Sequence, residues 1–197
     1  MRKNGIYAIV ASVLLSLAAT ATAGQTGDFY NVLAPDGADP WVIRHDDGWY
    51  YSSYSSGGRV ALRRSRTISG LGGGESRVIW EPPAGKPYSK ELWAPEIHFL
   101  EGKWYVYVAA DDGDNANHRM YALENPSKDP FEGEFTLKSR VSDPQTDRWA
   151  IDGTALKVGK RLYFVWSGWE GDVDVSQQLY IAPMSNPWTI SGPRAQI

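Results

Sequence analysis

The sequence predicts an all-β fold built as an array of sheets in the manner of propeller blades, and three observations predict it. One short pattern occurs three times: an acidic residue opens an apolar run, a polar turn follows, and an aromatic strand comes next. The three acids, Asp39, Glu96 and Asp152, are 57 and 56 residues apart. A fixed period in this range marks stacked supersecondary units, and propeller blades fall near it. Helical periodicity is absent beyond the N-terminal segment, and each period holds about four short strands, the complement of one blade. Three acids at one phase of such a repeat should converge on one axis.

Composition narrows the function classes. The 197 residues carry 20 Lys and Arg against 23 Asp and Glu, a net charge of −3. That balance gives no basic footprint, so nucleic acid is not an expected partner. Nine Trp and eleven Tyr are a heavy aromatic load. Most suit the packed faces of strands, and the remainder could serve as flat platforms for a sugar ring. No cysteine occurs, which excludes thiol nucleophiles and thiolate metal sites.

The N-terminus reads as a targeting segment. Arg2 and Lys3 precede an apolar stretch from Ile6 to Ala19, and Ala21-Thr22-Ala23 supplies the small residues of a cleavage site. A signal peptide over residues 1–23 is the expectation, leaving residues 24–197 as the N-terminal portion of a propeller domain outside the cell or in a periplasm. The apolar stretch is short for a membrane span.

The elements follow in order. Phe29 to Leu33 is a candidate leading strand, ended by Pro35-Asp36-Gly37. Trp41 to Arg44 and Trp49 to Tyr54 form a hairpin around Asp46-Asp47-Gly48, since Asp-Gly between apolar runs is a strong turn signal. Arg59 to Ser65 alternates as a third strand, and Val78 to Trp80 follows a glycine-rich turn at Gly70 to Gly74. Pro82 to Pro87 is a connector that fits neither sheet nor helix interior. The second unit gives strands at Ile97–Leu100, Trp104–Ala110, Arg119–Glu124 and Phe135–Val141. Its loop from Asp111 to His118 is acidic but lacks the ligand spacing and distal glutamate of a helix-loop-helix calcium site. The third unit gives Ala155–Val158, Leu162–Ser167 and Gln178–Ala182, with Pro187 to Ile190 opening a fourth strand. Three units of about 56 residues fall short of the four to eight blades that close a propeller. The expectation is a portion of a longer protein.

Paired carboxylates in an aromatic-rich exported chain suggest glycoside hydrolysis. Each acid alone reads more readily as an ordinary turn residue; their recurrence at one phase is what points to a site. Gly37-Ala38-Asp39-Pro40-Trp41, Trp93-Ala94-Pro95-Glu96-Ile97-His98, Ala150-Ile151-Asp152-Gly153-Thr154 and Trp166-Ser167-Gly168-Trp169-Glu170 together resemble glycoside hydrolase family 43. Within it, the likeness is to exo-acting α-L-arabinofuranosidases, with β-xylosidase as the alternative.

The resemblance implies a five-bladed propeller, about three of whose blades are in this chain. It implies inversion of configuration, with Asp39 as general base and Asp152 tuning the pKa of the proton donor. Trp93 and Glu96 match the segment lining the sugar pocket, and Trp41 and Trp169 are further candidates for substrate contact. A terminal arabinofuranosyl residue of a plant polysaccharide such as arabinan or arabinoxylan is the implied substrate. The family often holds a cation or water cluster in its channel, but the later-blade histidine expected to support it is not present here, so no metal or cofactor is expected, nor a membrane partner after signal cleavage. The family's donor is a glutamate followed by Gly-Pro, and no Glu-Gly-Pro occurs here. Glu170-Gly171 comes closest but lies in the loop after the third unit's second strand, so the donor is expected beyond Ile197. Without it, hydrolysis would slow on the order of 10²–10⁴-fold, which leaves a non-catalytic carbohydrate-binding propeller as the rival reading. His45, His98 and His118 have no ligand-like spacing and read as structural.

Overall fold

A computed structural model describes residues 38–197 of the chain. The signal segment and the candidate strand at Phe29 to Leu33 lie outside the described residues.

Three antiparallel sheets follow one another along the chain. The first holds β1 (Trp41–Arg44), β2 (Tyr50–Ser56), β3 (Arg59–Ser65) and β4 (Glu75–Trp80). The second holds β5 (Lys90–Leu100), β6 (Lys103–Asp111), β7 (Arg119–Asn125) and β8 (Thr136–Val141). The third holds β9 (Ala150–Val158), β10 (Arg161–Trp169), β11 (Gln177–Asn186) and β12 (Thr189–Ile190), with β13 (Ala195–Gln196) also pairing β11. In each sheet the strands lie in chain order from one edge to the other, the up-and-down arrangement of a blade. Tight turns explain this order. The β2–β3 connection is Gly57-Gly58 with φ of +58° and +75°, the pair of positive angles that a two-residue hairpin matching strand twist requires.

Strand alternation sets how the sheets stack. On β6, Trp104, Val106, Val108 and Ala110 pack with Tyr51, Val60, Leu62 and Trp80 of the first sheet. The intervening Tyr105, Tyr107 and Ala109 pack with Phe164, Trp166, Tyr180 and Ala182 of the third. The second sheet is thus buried on both faces, and β6 has no polar-out phase because neither face meets water. Polar groups also cross the seams. The Trp41 indole donates to the Ile97 carbonyl at 2.8 Å, and the Tyr107 hydroxyl donates to the Pro187 carbonyl at 2.5 Å. At the outer rim Arg64 bridges Glu75 at 2.8 Å and Asp129 at 2.7 Å.

The structure corrects several expected boundaries. The glycine-rich turn is part of a 3-10 segment, Ile68–Gly73, opened by the Thr67 side chain accepting from Gly70 N–H. β5 starts at Lys90 rather than Ile97, and β9 at Ala150 rather than Ala155. Both extensions pass through irregular pairing, which conceals them from a reading based on alternation.

Candidate active site

The three repeated acids lie at corresponding ends of the first strand of each sheet, the strand that the chain order puts at the same edge each time. Asp39 lies two residues before β1, Glu96 lies at the end of the irregular first part of β5, and Asp152 is the third residue of β9. Asp39 and Asp152 share an unusual backbone: both have φ of +52°. Few side chains adopt this left-handed region, and aspartate is among those enriched there. Ala94, two residues before Glu96, has φ of +43°, and the β5–β6 register shifts on either side of Trp93. Each site segment is therefore bent out of regular strand geometry where its acid projects.

The Asp152 carboxyl is raised above the usual carboxylate range, first by partial desolvation, then by the negative charges of Asp39 and Glu96. Asp152 nonetheless retains exposed surface. The three acids come from the first-strand region of each sheet, and the charges of Asp39 and Glu96 both act on Asp152.

Glu96 is held from behind. Its carboxylate lies 3.1 Å from His98 Nε2, and the His98 ring packs at 4.9 Å against Trp41 and at 5.3 Å against Tyr107. The bulged strand that carries it is stapled by Ser53, whose hydroxyl donates to the Pro95 carbonyl at 2.5 Å and accepts from Ile97 N–H at 3.0 Å. Ser53 is buried, so those two backbone groups have no solvent to replace it.

The candidate aromatic contacts divide into two kinds. Trp93 and Trp41 are half-buried; the Trp93 indole donates to Glu91 Oε2 at 3.3 Å and lies flat over His118, ring centroids 3.9 Å apart. Trp169 is only 5% exposed and stacks nearly parallel on Trp149 at 4.9 Å. Its place is in the packing against Trp149, and a ring this buried offers little surface to a sugar, unlike the half-exposed Trp93. Glu170 sits at the edge of the neighbouring loop, its backbone oxygen accepting from Arg148 and Arg194.

Sequence reasoning missed Ser53 and the support given by His98 and His118. Ser53 looks like any strand serine, and nothing local marks it as the partner of a bulge more than 40 residues away. His118 had one visible cue: it closes the acidic loop that Asp111 opens, and the two side chains meet, both fully buried.

With this geometry established, the relatives of the chain are informative. The family model described as "Glycosyl hydrolases family 43" matches residues 30–197. An extracellular exo-α-(1→5)-L-arabinofuranosidase of Streptomyces avermitilis is 38% identical over 182 residues, covering 91% of this chain and 38% of that protein. An α-L-arabinofuranosidase 43 of Humicola insolens is 34% identical, covering 91% of this chain and 38% of that protein. Among solved structures, an α-L-arabinofuranosidase from Lactobacillus brevis superposes with a TM-score of 0.78 at 34% identity, covering 86% of this chain and 55% of that one. The chain thus spans well under two thirds of the length of these relatives.

Proposed function

The chain belongs to glycosyl hydrolase family 43, and we propose that its three sheets are blades of an exo-acting, inverting α-L-arabinofuranosidase. The single observation that carries this reading is that each sheet's first-strand region carries one acid, Asp39, Glu96 or Asp152, at one phase of the repeat, with the Asp152 carboxyl raised by burial and then by the charges of the other two. The names of its relatives support the substrate class.

In this mechanism Asp39 accepts a proton from water, and that water attacks the anomeric carbon of a terminal arabinofuranosyl residue. Asp152 is placed to act on a neighbouring proton donor: its negative charge disfavours ionisation of that donor and keeps it protonated at working pH. Inversion needs base and donor apart, with room for the water between them. Trp93 offers the half-exposed ring against which the sugar packs, and Glu96, oriented by His98, accepts hydrogen bonds from its hydroxyls. No residue of this chain is assigned as donor.

Residues 1–23 are read as a secretory signal, on the strength of Arg2, Lys3, the apolar stretch and Ala21-Thr22-Ala23. Relatives described as extracellular agree with that reading. Among the described residues no helix is long and apolar enough to cross a membrane.

An aryl arabinoside tests the reading directly, because its leaving group departs without protonation and bypasses the donor. The protein should release p-nitrophenol from p-nitrophenyl α-L-arabinofuranoside, with β-L-arabinofuranose as the first sugar seen by proton NMR. Faster cleavage of the β-D-xylopyranoside would move the assignment to a xylosidase. Binding of arabinose oligomers without any turnover would favour a carbohydrate-binding role.

A further inference from the structure

His118 and Asp111 form a buried pair outside the acid triad, and both side chains are fully closed to solvent. They bracket the loop between β6 and β7, which lies at the same end of the second sheet as Trp93. Both nitrogens of the His118 ring face oxygen. Nδ1 lies 2.9 Å from Asp111 Oδ2, and Nε2 lies 3.1 Å from the Glu91 carbonyl. A neutral imidazole carries a single N–H, so one of these contacts would set lone pair against lone pair. A second proton relieves this, and on the ring it gives each nitrogen an N–H facing oxygen. The Asp111 carboxylate is placed to balance the charge, because its second oxygen already accepts from Gly113 N–H at 2.8 Å. The Nδ1 contact is close without the straight N–H···O line of an aligned hydrogen bond, which suits an ion pair.

The ring's faces and backbone are also engaged. Trp93 lies flat on it at 3.9 Å with 28° between the planes, and Trp149 meets it edge-on at 6.4 Å. The His118 carbonyl accepts from Ala150 N–H at 3.2 Å, two residues before Asp152. One residue therefore touches both the aromatic wall of the second sheet and the strand that presents Asp152.

We propose that His118, held as an imidazolium between Asp111 and the Glu91 carbonyl, is a positioning residue that fixes the Trp93 ring as the sugar platform and ties it to the Asp152 strand. A cation against an indole face is attractive, and more so when desolvated. The stack would keep Trp93 from rotating into the space the sugar occupies. The substrate half of this inference rests on the arabinofuranosidase reading; the charged ring and its grip on Trp93 do not.

The experiment pairs ¹⁵N NMR of the histidine and indole nitrogens with kinetics on p-nitrophenyl α-L-arabinofuranoside, for the wild type, His118→Gln and Asp111→Asn. In the wild type at neutral pH both His118 ring nitrogens should carry protons. Each substitution should displace the Trp93 Nε1–H resonance and raise KM about tenfold, roughly the loss of one cation–π contact, with kcat little changed. That split is the mark of lost uniform binding; a merely structural role would reduce thermal stability and leave KM alone. An unprotonated ring nitrogen in the wild type, or an unchanged KM in a folded Asp111→Asn variant, overturns the proposal. A wild type with both ring protons and a substitution-sensitive Trp93 signal, yet no action on the arabinoside, supports the dyad and overturns the substrate reading instead.

Discussion

Asp39, two residues before the first sheet, and Asp152, on the third, have the same left-handed backbone angle, φ of +52°, and the negative charge of Asp39 adds to the upward shift of the Asp152 carboxyl. Burial is the larger reason the Asp152 carboxyl is raised, with Asp39 and then Glu96 adding to it. The fold therefore holds an acid where ionisation is disfavoured. Sites that do this are commonly functional, because ordinary packing has no need of the cost.

That cost should be visible in stability. A carboxyl raised in the folded state binds more proton there than in the unfolded chain, so stability falls as pH rises from the unfolded value through the folded one. Below the reference value of 3.8 the penalty vanishes, and above the folded value it is complete. Asp152→Asn should accordingly raise Tm at pH 7 and change it little near pH 3; asparagine also tolerates the left-handed backbone. Thermal denaturation at the two pH values checks this, and an equal effect at both would count against an electrostatic origin.

Much of this arrangement was legible in the sequence, and the rest was hidden for physical reasons. Strands such as Arg59–Ser65 stand out because Gly57-Gly58 marks the turn that opens them, although the strand buries Val60, Ala61 and Leu62 in succession rather than alternating. The acids stand out because each precedes a strand at the same phase. The β5 extension through Trp93-Ala94-Pro95 does not, since proline and a positive-φ alanine read locally as loop while distant partners, Ser53 above all, hold them in the sheet. Trp169 shares a run with recognisable site residues, and only packing against Trp149 reveals that it faces inward. The Asp111–His118 pair needed the loop to close before its members could meet.

Removing the proposed base should separate chemistry from binding. Asp39→Asn keeps the backbone and side-chain shape while abolishing proton acceptance. Turnover of the aryl arabinoside should fall on the order of 10²–10⁴-fold, with the affinity for arabinose oligomers nearly intact by calorimetry. Parallel loss of binding and turnover would remove Asp39 from the role of base.

Ser53 should matter more than its position suggests. Ser53→Ala leaves the Ile97 N–H and the Pro95 carbonyl without their partner, at a cost of about 1–3 kcal/mol for a buried unsatisfied group. Urea denaturation should show that loss. KM for the arabinoside should rise with it, since the same strand carries Trp93 and Glu96.

Gly153, directly after Asp152, is packed too tightly for any side chain. A β-carbon there would run into the Phe164 ring and the end of Met120. Gly153→Ala should destabilise the protein by about 1–3 kcal/mol through overpacking, read from chemical denaturation. A neutral result would mean that the seam between the second and third sheets yields more readily than its burial implies.

The most direct test of the convergent site is a ¹³C NMR titration of the Asp152 carboxyl in the wild type and in Asp39→Asn. Three acids sharing one site require the Asp152 midpoint to lie above the usual carboxylate range and to drop when Asp39 loses its charge. An ordinary midpoint, or one indifferent to Asp39→Asn, would show that the acids do not share a site, and the hydrolase mechanism built on them would fall.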